Sequence, residues 1–143
     1  MPLFAGQSRE QLRQIYVQAW RKYGARLPLE PLEAQIAAVI AEHPEYASLL
    51  ESGRQALTAE YTPEGNRENP FLHMGLHLAI REQVATDRPS GIAQIHATLS
   101  KRLGDAHAAE HSMLERLGEV LWESQRSGKA PDEQRYLERL REL

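Results

Sequence analysis

Apolar residues recur at spacings of three and four along most of this chain, the periodicity of helices that bury one side. Leu12, Ile15, Tyr16, Ala19 and Tyr23 form the first stripe, with Ser8 ahead of it as an N-cap and Gly24 behind it as a stop. In "LEPLEAQIAAVIAEH", Leu32, Ile36, Val39 and Ile40 face inward; Pro44 interrupts this helix and "PEYASLLES" restarts one. "EYTPEGNREN" is rich in turn formers and reads as a loop. "NPFLHMGLHLAIREQ" opens with Asn69 as N-cap and Pro70 at the first helical position, and its helix runs to about residue 86. After the break at "DRPSG", Ser90 caps a helix bearing Ile92, Ile95, Leu99 and Leu103, which Gly104 ends. Asp105 caps the longest helix, which reaches about residue 127, and "SGKAPDEQ" leads into a last short one with Tyr136, Leu137 and Leu140. No segment alternates with period two and no internal repeat is evident. The pattern predicts an all-α fold, a compact single-domain bundle of five to seven helices spanning residues 1–143.

Composition narrows the setting. A chain of 143 residues can bury one core without staples. It contains no cysteine, so disulfides and thiolate metal sites are excluded, and a reducing cytoplasm is the expected compartment. The start "MPLFAGQSRE" has no basic stretch followed by an apolar one, so no signal peptide is expected. No apolar run nears the roughly 20 residues of a membrane span, so no membrane partner is expected either.

A net charge of −3 makes no electrostatic case for nucleic acid. The charge is uneven, however. In residues 1–27, Arg9, Arg13, Arg21, Lys22 and Arg26 face Glu10 alone, whereas in residues 28–65 seven glutamates face Arg54 alone. The basic first helix is expected to pack beside the acidic segment, and the charges of "SREQLRQIY" and "DEQRYLERLREL" are expected to be solvated. Partners are not indicated by any motif, and association into a homo-oligomer stays open.

The polar residues that fall on apolar faces carry the candidate chemistry. At about 100° per residue, Leu72, Leu76, Ile80 and Val84 share an arc of about 120°; His73 lies inside it and His77 just beyond. On the longest helix, Glu110 falls in the middle of the arc of Met113, Leu114, Leu117, Val120 and Leu121, with His107 and His111 on one flank. His43 and His96 also continue apolar stripes. A buried carboxylate without a partner would cost several kcal/mol, so Glu110 demands one, and imidazoles from a facing helix could supply it.

This arrangement predicts a His/Glu polar site between the helix of residues 69–86 and that of residues 105–127, with two outcomes. In one, His73, His77, His107, Glu110 and His111 ligate a divalent transition metal; nitrogen donors with one oxygen suit zinc, iron, manganese or nickel. In the other, the same residues form a hydrogen-bonded network that fixes helix register, in a structural or adaptor protein whose function lies on an exposed surface such as the basic first helix. Gly75 fits both, because it lets a neighbouring helix approach.

"HAAEH", residues 107–111, also matches the H-x-x-E-H pattern of one zinc peptidase class. Only 32 residues follow it and no sheet is predicted to bind a peptide strand, so the pattern supports a metal and not peptidase activity. No nucleophile elbow and no glycine-rich phosphate loop occurs. Trp20 and Trp122 extend apolar stripes and are expected in the core or at its rim. The sequence names no substrate and no reaction.

At "HPEY", "NPFLHMGLHLAIREQ", "DRPSGI", "GDAHAAEH" and "LWESQRSGKAPDEQRYLERLR", the chain resembles a bacterial family known as domain of unknown function 1841. The likeness covers nearly the whole length. It implies a cytoplasmic bacterial protein and no particular activity, and the family pattern includes the positions of His73, His77, Glu110 and His111. A looser likeness of arrangement links the chain to hemerythrin-like and DinB-like metal-binding four-helix proteins.

Overall fold

A computed structural model describes residues 8–52, 56–57, 59 and 69–143. Their regular structure is helical throughout, with no strand among the described residues. The helices are α1 (Arg9–Gly24), α2 (Pro31–Ala41), α3 (Pro44–Glu51), α4 (Pro70–Thr86), α5 (Ile92–Leu103), α6 (Ala106–Ser127) and α7 (Glu133–Arg141). The protein is therefore all-α. The expected loop of residues 60–69 lies outside the described residues apart from Asn69. No described helix is long and apolar enough to cross a membrane. The chain divides into two compact units, Met1–Leu78 and Ala79–Leu143.

The first unit is built by α1 packing on α2 and α3, with the first half of α4 in the same core. Tyr16, Ala19, Ile36, Val39, Ile40, Leu50, Phe71, Met74 and Leu78 form one buried cluster. Ser8 and Gln11 make a reciprocal capping box at the start of α1, worth about 1 kcal/mol. Lys22 reaches Glu33 at 2.9 Å, so the basic first helix does dock against the acidic segment.

Arg13 departs from expectation. It is not solvated but 2% exposed, and its guanidinium donates to the carbonyls of Ala56, Leu57 and Ala59 at 3.2, 3.3 and 2.5 Å. Its guanidinium carbon also lies 4.8 Å from the centre of the Phe71 ring. The physical reason is that Arg13 follows Leu12 on the inner edge of the helix, where several backbone carbonyls need donors.

In the second unit α5 packs on α6, and α7 packs on both. The buried side chains are Ile80, Ile92, Leu99, Ala109, Met113, Leu114, Leu117, Val120, Tyr136, Leu137 and Leu140. Gly104 and Gly128 take the left-handed conformation, at φ 73° and 72°, directly after α5 and α6. Asp105 caps α6 through the amide of His107 at 3.0 Å.

Ser90 is not the cap of α5. Asp87 fills that place, accepting from the amides of Gly91 and Ala93 at 3.1 and 3.0 Å, because the turn folds its carboxylate back over the helix start. Tyr23, Leu72, Leu103 and Leu121, expected on buried faces, are exposed, and so is Trp122, expected in the core or at its rim. Trp122 is 58% exposed and lies beneath the guanidinium of Arg126.

Candidate metal centre

The site is organised by α4. Asn69 caps it, accepting from the amides of Phe71 and Leu72 at 3.0 and 3.3 Å. Its first ten residues are apolar almost all round, so periodicity alone does not choose the inner face. Phe71, Met74 and Leu78 do, by entering the core of the first unit. The helix is thereby turned so that Leu72 is 62% exposed, while His77 is fully buried and His73 half-buried. His73, His77 and Arg81 follow at intervals of four and form one row along the helix.

In the first unit this row meets His43, at the junction of α2 and α3. Nε2 of His73 stands 3.1 Å from Nε2 of His77. The ring of His43 is centred 4.7 Å from that of His77 and 5.1 Å from that of His73. Ring nitrogens of His43 and His77 lie within 4.8 Å of each other. Tyr46 stacks on His43, with ring planes 10° apart.

His43 has a defined tautomer. Its Nδ1 lies 2.7 Å from the carbonyl oxygen of Val39, which only accepts, so Nδ1 carries a proton and Nε2 is the ring's candidate donor to a metal. That Nδ1–H to carbonyl bond is the usual way a metal-binding imidazole is oriented. Three imidazoles are thus gathered around the start of α3 and the first half of α4.

Gly75 sits where α4 passes α1. A methyl group there would stand 3.7 Å from the hydroxyl oxygen of Tyr16, an ordinary contact, so the glycine marks a close approach without being sterically compelled.

In the second unit, Glu110 is buried as expected, at 7% exposure. The guanidinium of Arg81 partners it: Nε donates to both carboxylate oxygens, at 3.0 and 3.1 Å. His107 and His111 flank it half-buried, one turn apart, with ring centres 4.6 Å apart. A donor atom of His107 lies within 4.8 Å of one on Glu110 and within 4.8 Å of one on His111.

A sequence model for one family matches residues 8–142, and its description is domain of unknown function (DUF1841). The chain belongs to this family. Comparison with curated proteins gives no match, and comparison with solved structures gives none.

Of the site residues expected in this DUF1841 chain, His73 and His77 come together in the first unit, and His107, Glu110 and His111 in the second. Sequence reasoning missed two residues. His43 was noticed only as continuing a stripe; the signal was its place four residues after Val39, at a helix end whose carbonyls need donors. Arg81 went unnoticed, though it continues the four-residue interval of His73 and His77 and is the charge a buried Glu110 requires.

Proposed function

We propose that this DUF1841 protein binds a divalent transition metal through imidazole nitrogens, principally those of His43, His73 and His77. His107 and His111 offer a second pair of donors, with Glu110 as the neighbouring carboxylate. The observation that carries this reading is the 3.1 Å separation of the His73 and His77 Nε2 atoms. Two nitrogens bound at 2.0–2.1 Å to one tetrahedral ion stand about 3.3–3.4 Å apart, so the pair needs almost no movement to accept one. Nitrogen-rich donor sets favour zinc, iron, manganese or nickel over calcium or magnesium. The absence of cysteine, with a family resemblance on the bacterial side, supports a cytosolic setting.

A second reading has the same distance in its favour. A separation of 3.1 Å is also a sound hydrogen bond between a protonated and an unprotonated ring nitrogen. On that reading the histidines fix helix packing, and the protein acts as a scaffold or adaptor.

Elemental analysis of untagged protein, and melting with chelator against added zinc, iron(II), manganese or nickel, separate the two. A metal site should gain about 2.7 kcal/mol of stability when the free ion reaches a hundred times its Kd. The double change His73→Leu, His77→Leu should reduce that gain to whatever His107, Glu110 and His111 contribute. A wild type that melts identically under all four ions and the chelator would remove the metal reading.

A further inference from the structure

Glu110 raises a question that metal binding alone does not answer. Its carboxylate is buried on the long helix, between two histidines that suit a metal, yet a guanidinium occupies both of its oxygens. A buried carboxylate that stays ionised needs a positive partner or strong hydrogen-bond donors. The chain supplies one from within, at Arg81.

We infer that Arg81 is a resident counter-cation, which a divalent metal must displace from Glu110 in order to use His107, Glu110 and His111 as a donor set. The inference rests on the proposed metal binding and adds its control. Three features support it. His107, Glu110 and His111 lie at i, i+3 and i+4, on one face of α6. One ring nitrogen of His107 lies within 4.8 Å of a Glu110 oxygen, and one lies within 4.8 Å of a His111 nitrogen. The two partners are unequally buried: the Arg81 side chain is 26% exposed against 9% for Glu110. The guanidinium can therefore withdraw toward water, while the carboxylate stays in place.

The exchange balances in charge-pairing terms. Without metal, the Glu110 carboxylate accepts from the Arg81 guanidinium. With metal, a divalent ion takes a carboxylate oxygen and imidazole lone pairs, and the arginine returns to solvent. Metal affinity at this donor set is then set by a competition, and removing the competitor must raise it. An arginine serving only to hold the helices together would give the opposite sign, because its loss would loosen the donors.

The test is calorimetric titration of zinc into the full chain, as wild type and as Arg81→Met. Both are repeated with His73→Leu and His77→Leu present, to silence the first unit's imidazoles. The expected result is zinc binding at least about tenfold tighter in Arg81→Met, in both backgrounds, with the gain cancelled by adding Glu110→Gln. Equal or weaker binding in Arg81→Met would overturn the inference. If Arg81→Met does not fold, Glu110→Gln alone serves in the silenced background. Zinc affinity should then fall about tenfold, and an unchanged affinity overturns the inference. The two readings fail separately. A wild type that binds no zinc, beside an Arg81→Met chain that does, sinks the first unit's metal site and keeps the competition. Zinc binding by the wild type that Arg81→Met leaves unchanged does the reverse.

Discussion

Nε of Arg81 donates to both oxygens of the Glu110 carboxylate, a part-buried pair of the second unit in which Glu110 is 7% exposed. Such a pair contributes little net stability when both partners are present, because each charge loses hydration. Removing one partner is another matter. With chelator present, Glu110→Leu alone leaves a guanidinium without its carboxylate and should cost on the order of 3 kcal/mol. The double change Arg81→Met, Glu110→Leu should recover most of that loss. Urea unfolding of the three chains measures it. A double variant no more stable than the single one would mean that the pair's surroundings depend on charge rather than on volume.

Arg13 is a second buried cation, with three backbone carbonyls among its partners. Its guanidinium serves the carbonyls of Ala56, Leu57 and Ala59, from more than forty residues away in sequence. Hydrogen bonds to a charged donor contribute roughly 1.5–3 kcal/mol, and stranded carbonyls add to the loss. Arg13→Met should therefore cost about 3 kcal/mol, whereas Arg9→Met, on the exposed side of α1, should stay within about 0.5 kcal/mol. The midpoints of denaturant curves compare them directly. Equal effects would show that burial of Arg13 contributes nothing.

The contact between α1 and α2 gives the acid limb a sign. The Lys22 ammonium on Glu33, helped by the amide of Glu30, holds the Glu33 carboxyl below its ordinary value. A depressed carboxyl contributes stability that is complete above its unfolded pKa and is lost as pH falls through the folded one. Glu123 behaves alike, held down by Arg139 and Arg135. Both ion pairs are partly open to solvent, so the effect is small and screened by salt. Stability should fall between about pH 5 and pH 3, less steeply in Glu33→Gln and less steeply at high salt. An unchanged slope in Glu33→Gln would mean that Lys22 interacts equally with the unfolded chain.

The helices were legible because caps, breaks and periodicity agree at nearly every end: Ser8, Asn69, Asp105 and Gly104 each act as their residue types predict. Burial of Glu110 was legible too, from its place in the middle of an apolar arc. The rotation of α4 was not. Of the expected stripe Leu72, Leu76 and Ile80, Ile80 is fully buried but Leu72 is exposed, and Phe71, Met74 and Leu78 fill the core of the first unit instead. The partner of Glu110 was hidden for a related reason. An arginine near the middle of a helix reads as solvated, and only tertiary packing puts its guanidinium on a buried carboxylate. Asp87 in place of Ser90 is a matter of turn geometry, which a one-dimensional cap rule does not contain.

The alkaline limb provides a test that touches both units. Burial pushes the phenol of Tyr16 in the first unit, and that of Tyr136 in the second, well above the ordinary tyrosine value of 10.0. Both residues are almost fully buried, and the hydroxyl of Tyr136 donates to Gln83 at 2.7 Å. In the unfolded chain each phenol ionises near pH 10, whereas in the folded chain each must stay neutral. A raised folded pKa means that stability is intact below the unfolded value and is lost as pH rises above it. Each tyrosine should therefore withdraw roughly 1.4 kcal/mol per pH unit above about pH 10. Tyr16→Phe and Tyr136→Phe should each reduce that slope by its own share, and the double variant by the sum. The phenylalanine at position 136 also leaves Gln83 without its donor, so that chain should begin about 1 kcal/mol lower at neutral pH. Denaturant midpoints at neutral pH and on either side of about pH 10 supply the slopes. If Tyr16→Phe leaves the alkaline slope unchanged, its phenol must reach water in the folded chain, and the packing of α1 against α4 would be looser than its buried ring implies.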